Sequence, residues 1–391
     1  MKELDDYNRI INSERGDYKN IPFINKECDL TVTYVLPLLN VDSYYKMITQ
    51  AMALNRYSKK IRTFMLGLQE EQFDKQIEDY DVYLQGEIVA ETDIFVFPFT
   101  TQRIKPIIQA IIDYKSSAKI CMIIDQDWVD VPVHRKEYAK FQDPDVLKRI
   151  VENIRDVDAV FFFNNKLEDK VFDRVSAQIK GSNTLFATIP MLTDLELIAD
   201  CEINPNKDQE FFNIGILAGI NDWENNSYIR DVLKTIQKKH KNVQVYAIGN
   251  GIVYDGKNCL KDVNYKQIVY ANILDYFHKI SSLKLNCAII PIKDTAYNSV
   301  SFDYSSYITF SILQIPIFAS DVYPINKVIN NNERGVLCAV KNNWIDELEL
   351  AIKDQSKITE IMKMAFSVTR EYFIFNTPDK IKLFEEIFTS L

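Results

Sequence analysis

Two aspartates one residue apart, Asp125 and Asp127, close an apolar run at 120–124. Carboxylates at that spacing can hold a divalent cation through two oxygens, or they can fix the loop in which they lie. Asp127 is also a candidate polar contact to a substrate. His134, farther along the same loop, is a candidate to orient or deprotonate an acceptor hydroxyl, unless it merely caps or packs. Gly249 and Gly251 end a second apolar run. A missing Cβ there lets backbone approach a nucleotide closely, or simply lets the chain turn. Tyr297, Tyr304 and Tyr307 could stack on a base or a sugar, and the helical spacing of the last two suits packing as well.

Other chemistries lose ground on composition. Three histidines, widely separated and without H-E-x-x-H, leave little for a histidine-built metal site. Only 10 glycines occur in 391 residues, with no G-x-G-x-x-G and no Walker A sequence, which argues against P-loop and nicotinamide chemistry. The 6 cysteines form no C-x-x-C pair, and several lie in apolar runs, so buried reduced thiols are expected. The net charge of −9 does not indicate a general nucleic-acid-binding surface.

Elements must position these residues. Short β-branched and aromatic runs alternate with amphipathic stretches along almost the whole chain, the pattern of β-α units in a parallel sheet. Strands are expected at 31–36, 61–66, 93–98, 119–124, 158–163 and 184–188, with helices such as 103–115 and 144–155 between them. Asp143 can cap the second of these helices, and Pro144 suits its first position. The stretch CEINPNKDQE at 201–210 has no periodicity and reads as a linker. A second series follows, with strands at 213–218, 243–248, 285–291, 315–320 and 335–339 and helices at 224–240, 266–280, 304–313, 325–330 and beyond 342.

A length of 391 residues suits two domains at ~100–200 residues each. The fold class expected is α/β: two Rossmann-like doubly wound domains facing across a cleft, with the chemistry in loops at the carboxyl ends of the strands. The composition, 47% hydrophobic and 26% charged, is that of a soluble globular protein. No apolar run approaches the ~18 residues needed to cross a bilayer. The polar opening MKELDDYNRI lacks a signal-peptide core, so a cytoplasmic protein is expected.

Three stretches add a family resemblance. They are residues 123–173, opening IIDQDWVDVPVH; residues 214–251, opening IGILAGINDWENN and closing on the G-x-G of Gly249 and Gly251; and residues 288–346, which include AIIPIKDTAYNSVSFDYSSYITFSILQIPIFASDVYPINKVI. In order and spacing they resemble family-4-like glycosyltransferases of the GT-B fold. The resemblance implies an acceptor-side domain over 1–205, a nucleotide-sugar-binding domain over 206–365, and C-terminal helices at 366–391 crossing back to the first. It implies a nucleotide sugar as substrate, no essential metal and no cofactor. The acceptor (glycan, protein, lipid or nucleobase) and any homo- or hetero-oligomer stay open.

By that resemblance Asp303 falls near the family's first acidic residue and is a candidate donor-sugar contact, or else an N-cap. Gly219 and Asn221 follow the first strand of the second domain, and Ser306, Tyr307 and Thr309 join Gly249 and Gly251 as candidate donor-binding residues. The pattern departs from the family where a lysine and a glutamate are usual, because Ser306 and Thr309 stand there instead. Neither can neutralise a diphosphate; Lys293, Arg230 and Lys257 are candidate substitutes. A catalytically degenerate subunit or chaperone of an active partner, and a DNA nucleobase-modifying transferase, are the alternatives.

Overall fold

Parallel strands covered on both faces read as nearly continuous apolar runs, and those runs set the architecture. The computed structural model describes residues 27–36, 43–67, 86–135, 137–198, 201, 203, 210–219, 223–254, 256–270, 273–330, 333–375 and 377–391. It divides into two units: the described residues through Asp194 together with Phe375–Leu391, and Leu195–Ile374. These divisions differ from the expected 205/206 and 365/366, and most of the expected linker lies outside the described residues.

The first unit starts with β1 (Leu30–Leu36), a π-helical turn (Tyr44–Ile48), α1 (Thr49–Tyr57), β2 (Ile61–Gly67), α2 (Gly86–Glu91) and β3 (Ile94–Pro98). It continues with α3 (Lys105–Tyr114), β4 (Lys119–Ile123), α4 (Tyr138–Gln142), α5 (Pro144–Arg155), β5 (Ala159–Phe162), α6 (Asn165–Val175) and β6 (Leu185–Thr188). The strands form one parallel sheet in the order β2-β1-β3-β4-β5-β6. Asp143 caps α5 as its sequence suggests, accepting from the Asp145 N–H at 2.9 Å.

The second unit holds β7 (Phe212–Leu217), α7 (Trp223–Lys239), β8 (Val243–Ile248), the short pair β9 (Val253–Tyr254) and β10 (Lys257–Asn258), β11 (Tyr265–Ile268) and α8 (Ile273–Ser282). Then come β12 (Cys287–Ile290), α9 (Asn298–Ser301), α10 (Ser305–Ile312), β13 (Ile317–Ser320), α11 (Ile325–Ile329), β14 (Val336–Cys338), α12 (Lys341–Lys353) and α13 (Ser356–Tyr372). Its sheet is parallel in the order β11-β8-β7-β12-β13-β14.

The last helix, α14 (Pro378–Thr389), belongs to the first unit. Its Phe388 ring stands 6.1 Å from that of Phe161 on β5, edge-on, and Glu385 accepts from the Ser58 hydroxyl at 2.6 Å. The helix expected at 266–280 is misread. Its first three residues belong to the edge strand β11, parallel to β8, and α8 starts only at Ile273. Tyr265 and Ile268 favour a strand while Lys266 and Gln267 do not; backbone pairing with β8 decides between the two, and an exposed Lys266 suits a sheet edge.

Candidate functional site

A doubly wound sheet binds ligands outside the carboxyl ends of its strands, where the strand order reverses. In the second unit the chain runs outward from β7 to β8 and β11, then returns to build β12, β13 and β14 on the other side. The reversal lies between β7 and β12, which pair with Ile214 opposite Cys287. Half-buried Gly219 follows the end of β7. Asn221 lies outside the described residues.

Gly249 and Gly251 follow β8. Gly249 stands at φ +126°, and a Cβ there would lie 2.5 Å from the Ala218 carbonyl oxygen. The Gly251 N–H donates to that same oxygen at 2.6 Å. The close approach these glycines allow is to the neighbouring strand end of the chain itself.

Around the reversal point a set of buried amides ties the loops together. Asn226, in the first turn of α7, donates from Nδ2 to the Leu217 carbonyl at 3.0 Å. Asn225 Oδ1 accepts from the Lys293 N–H at 3.0 Å and from Asn298 Nδ2 at 3.1 Å. Asn298 Nδ2 also donates to the Lys293 carbonyl at 2.7 Å, and the Ser320 hydroxyl accepts from the Ile292 N–H at 2.8 Å. Asn225, Asn298 and Ser320 are buried, and burying such groups is costly unless they are bonded as these are. The ammonium of Lys293 reaches outward to Glu224, 2.7 Å away. Arg230 and Lys257 stand elsewhere: Arg230 lies two turns along α7, beside Asp231 at 3.4 Å, and Lys257 is in the β9–β10 pair.

Asp303 Oδ1 accepts from the Ser305 N–H at 2.9 Å and from its hydroxyl at 2.5 Å, so its carboxylate is engaged in starting α10. Ser306 and Tyr297 are half-buried. Tyr307 and Thr309 have no accessible surface. The Tyr307 ring packs 6.2 Å from Phe373, and burial pushes its hydroxyl up to about 12. As they stand, these two residues fill the interior and present nothing to a ligand. A helix laid between layers buries its middle on all sides, and four residues beyond its start Thr309 has passed below the edge.

In the first unit the sheet order reverses between β1 and β3. The two aspartates after β4 diverge onto two lysines. Asp125 accepts from Lys46, in the π-helical turn, at 2.5 Å. Asp127, 1% exposed, accepts from the N–H groups of Val129 and Asp130 at 2.9 and 3.2 Å and from Lys170 on α6 at 2.5 Å. Partial burial pulls the Lys170 ammonium down, but its bonds to Asp127 and to Asp130, 2.9 Å away, outweigh this and raise its pKa. Asp127 is therefore a loop anchor in this structure. His134 is exposed on the following turn. Among the described residues no three His, Cys, Asp or Glu side chains converge as metal ligands.

Sequence reasoning missed Asn225, Asn298, Ser320, Lys46 and Lys170. The pair Asn225-Asn226 was the one readable signal, because polar residues opening a helix just after a strand mark a loop that needs internal bonds. A cavity of about 550 Å³, bordered by Lys119, Arg155, Asp158 and Thr184, lies at the amino edge of the first sheet, the opposite end from the strand termini where doubly wound sheets bind. Its Lys119 and Asp158 pair with each other at 3.1 Å.

No protein-family model and no curated protein sequence matches the chain. Solved structures do match. An α-glucosyltransferase (AGT) in complex with UDP superposes with a TM-score of 0.62 at 11% identity, covering 91% of this chain and 99% of that one. Sucrose-phosphate synthase from Thermosynechococcus elongatus gives 0.61 at 10% identity, over 93% of this chain and 100% of the other. Anabaena Alr3699/HepE in complex with UDP and glucose gives 0.59 at 10% identity, with the same coverage of 93% and 100%.

The fold is GT-B.

At such identities the likeness is one of fold, and the GT-B architecture accounts for two doubly wound units with a last helix in the first. Among the described residues no helix is long and apolar enough to cross a membrane.

Proposed function

We propose that this chain is a glycosyltransferase of the family-4 kind within GT-B that moves a sugar from a nucleotide-sugar donor to an acceptor. The observation that carries the reading is the reversal point of the second sheet. There the strand termini open on a loop held by three buried polar side chains and displaying a lysine. The fold adds support, since AGT and HepE bear UDP in their structures. In this reading the second unit holds the donor and the first unit the acceptor.

The chemistry follows from charge. The bond from the sugar's anomeric carbon to the diphosphate breaks, its electron pair leaves with the phosphate oxygen, and the acceptor oxygen bonds to the carbon while giving up its proton. Something must stabilise the departing oxyanion; backbone N–H groups and a side-chain cation can do so without a metal. His134, exposed, and Asp125, part-exposed beside Lys46, are the groups of the first unit proposed to receive the acceptor. Asp303 and Ser306, at the start of α10, remain proposed contacts to the donor.

A second reading is favoured by one specific observation. Ser306 and Thr309 replace the charged pair of the resembled pattern, and Thr309 is sealed inside the unit, which is what a catalytically degenerate subunit stabilising an active partner would show. Calorimetric titration of UDP, GDP, ADP and their sugars, followed by a donor-hydrolysis assay, separates the two. Transferase function requires binding of at least one; a ligand at 100 times its dissociation constant adds ~2.7 kcal/mol of stability. Absence of any binding at millimolar concentration, with no hydrolysis, rejects the transferase and leaves the partner subunit.

A further inference from the structure

We propose that Lys293 is the cation that receives the donor's diphosphate, exchanging its present partner Glu224 for a phosphate oxygen. The inference rests on the nucleotide-sugar reading above and names the residue that would replace the charge missing at Ser306 and Thr309.

Three observations carry it. Lys293 follows β12, one of the two strands that flank the reversal point, so it occupies the edge where a doubly wound sheet receives ligands. Its backbone is fixed on both sides: Asn225 accepts from its N–H at 3.0 Å, Asn298 donates to its carbonyl at 2.7 Å, and Ser320 holds the preceding Ile292 N–H at 2.8 Å. A surface loop can satisfy its peptide groups with water, so three buried side chains from α7, α9 and the end of β13 are not needed for solvation alone. What they fix is the direction in which the next atoms of Lys293 leave the sheet.

The third observation is the state of the ammonium. It is 49% exposed and bonded at 2.7 Å to Glu224, whose carboxylate is 14% exposed in the first turn of the 17-residue helix α7. The lysine end of the pair is half-exposed, so its ammonium can leave Glu224 for another anion at little cost. The helix N-terminus favours an anion beside it whether that anion is a carboxylate or a phosphate. Glu224 thus holds the lysine in place and competes with the incoming diphosphate. A surface ion pair with no further role would need neither the clamped backbone nor the position at the reversal point.

The test compares UDP with uridine, which has the same base and ribose and no phosphate, by calorimetry on the full-length protein. Wild type is expected to bind UDP more tightly than uridine, with an affinity that falls as salt rises. Lys293→Gln is expected to lose about tenfold in UDP affinity and nothing in uridine affinity, while Lys293→Arg keeps most of the UDP binding. Glu224→Gln, which removes the competing anion and keeps the helix start, is expected to tighten UDP by about two- to fivefold. A merely structural role for Lys293 would shift both ligands together and would not give opposite signs in the two variants. If wild type binds UDP and Lys293→Gln binds it equally well, this inference falls while the nucleotide-sugar reading stands. If wild type binds none of UDP, GDP, ADP and their sugars at millimolar concentration and hydrolyses no donor, that reading falls and takes the inference with it.

Discussion

Replacing Gly249 by alanine places a methyl group 2.5 Å from the Ala218 carbonyl oxygen and 2.9 Å from its carbon, both backbone atoms that cannot rotate away. The same residue sits at φ +126°, which L side chains rarely adopt. Two costs therefore combine: about 1–3 kcal/mol for the backbone conformation and about 1–3 kcal/mol for forcing two packed segments apart. Gly256, in the same unit, separates them, for it stands at φ +69° with nothing within 4 Å of a built Cβ. Gly256→Ala thus incurs conformational strain without the collision, and the unfolded-state gain from removing a glycine, about 0.4–1 kcal/mol, applies to both variants. The difference between them combines the contact with Ala218 and the extra strain of φ +126° over the left-handed value of +69°, and should be at least about 1–3 kcal/mol. With a urea slope of about 1–3 kcal/mol per molar, that is a gap of roughly 1 M between the denaturation midpoints, read by circular dichroism. The Gly251 N–H should also exchange faster in Gly249→Ala, since its bond to Ala218 is the one displaced. Equal midpoints for the two alanine variants would refute the argument that Gly249 is required by the approach of β7, and would return it to the role of an unconstrained edge residue.

Asp127→Asn removes the buried charge and leaves exposed Asp130 as the carboxylate paired with the Lys170 ammonium; it should cost about 1–3 kcal/mol in urea denaturation, below the full value for a buried pair because Lys170 is itself part-exposed. The pH dependence has a definite sign. The folded-state pKa of Lys170 is raised, so its stabilisation is fully present below the ordinary lysine value of ~10.4 and is lost as pH rises through the folded value. Wild type should accordingly lose stability in alkali more steeply than Asp127→Asn. Transfer activity is expected to persist in EDTA, because Asp125 and Asp127 are each bonded to a different lysine; a complete loss reversed by magnesium or manganese would make them metal ligands instead. Asn298→Ala removes the donor that spans Asn225 and the Lys293 carbonyl and should cost about 1–3 kcal/mol while weakening UDP binding. Thr309→Val, by contrast, changes a side chain with no accessible surface and is expected to leave UDP affinity unaltered in calorimetry.

The alternation of apolar runs with amphipathic stretches determined the α/β class and nearly every strand, because a parallel sheet covered on both faces needs continuous apolar strands whatever surrounds it. The cap at Asp143 was equally local, and so is Asp303 at the start of α10: a carboxylate two residues ahead of a helical N–H requires no distant partner. Beyond this reach lay whatever depends on which strand neighbours which. The strand at Tyr265–Ile268 exists because β8 offers it a free edge, and its own residues would as readily continue the helix after it. Gly249 read as either a ligand-facing or a turn glycine until β7 came alongside it, and Asp127 as a metal ligand, a substrate contact or a loop-shaping residue until α6 brought Lys170 across 43 residues of chain. The clamp on Lys293 joins residues 68 apart, Asn225 after β7 and the loop after β12, which meet only because the chain reverses its direction of growth between those two strands. Residue types and spacing set what each segment can form; the order of strands in the sheet decided which polar groups met, and hence which of them are used up inside the protein and which still face outward.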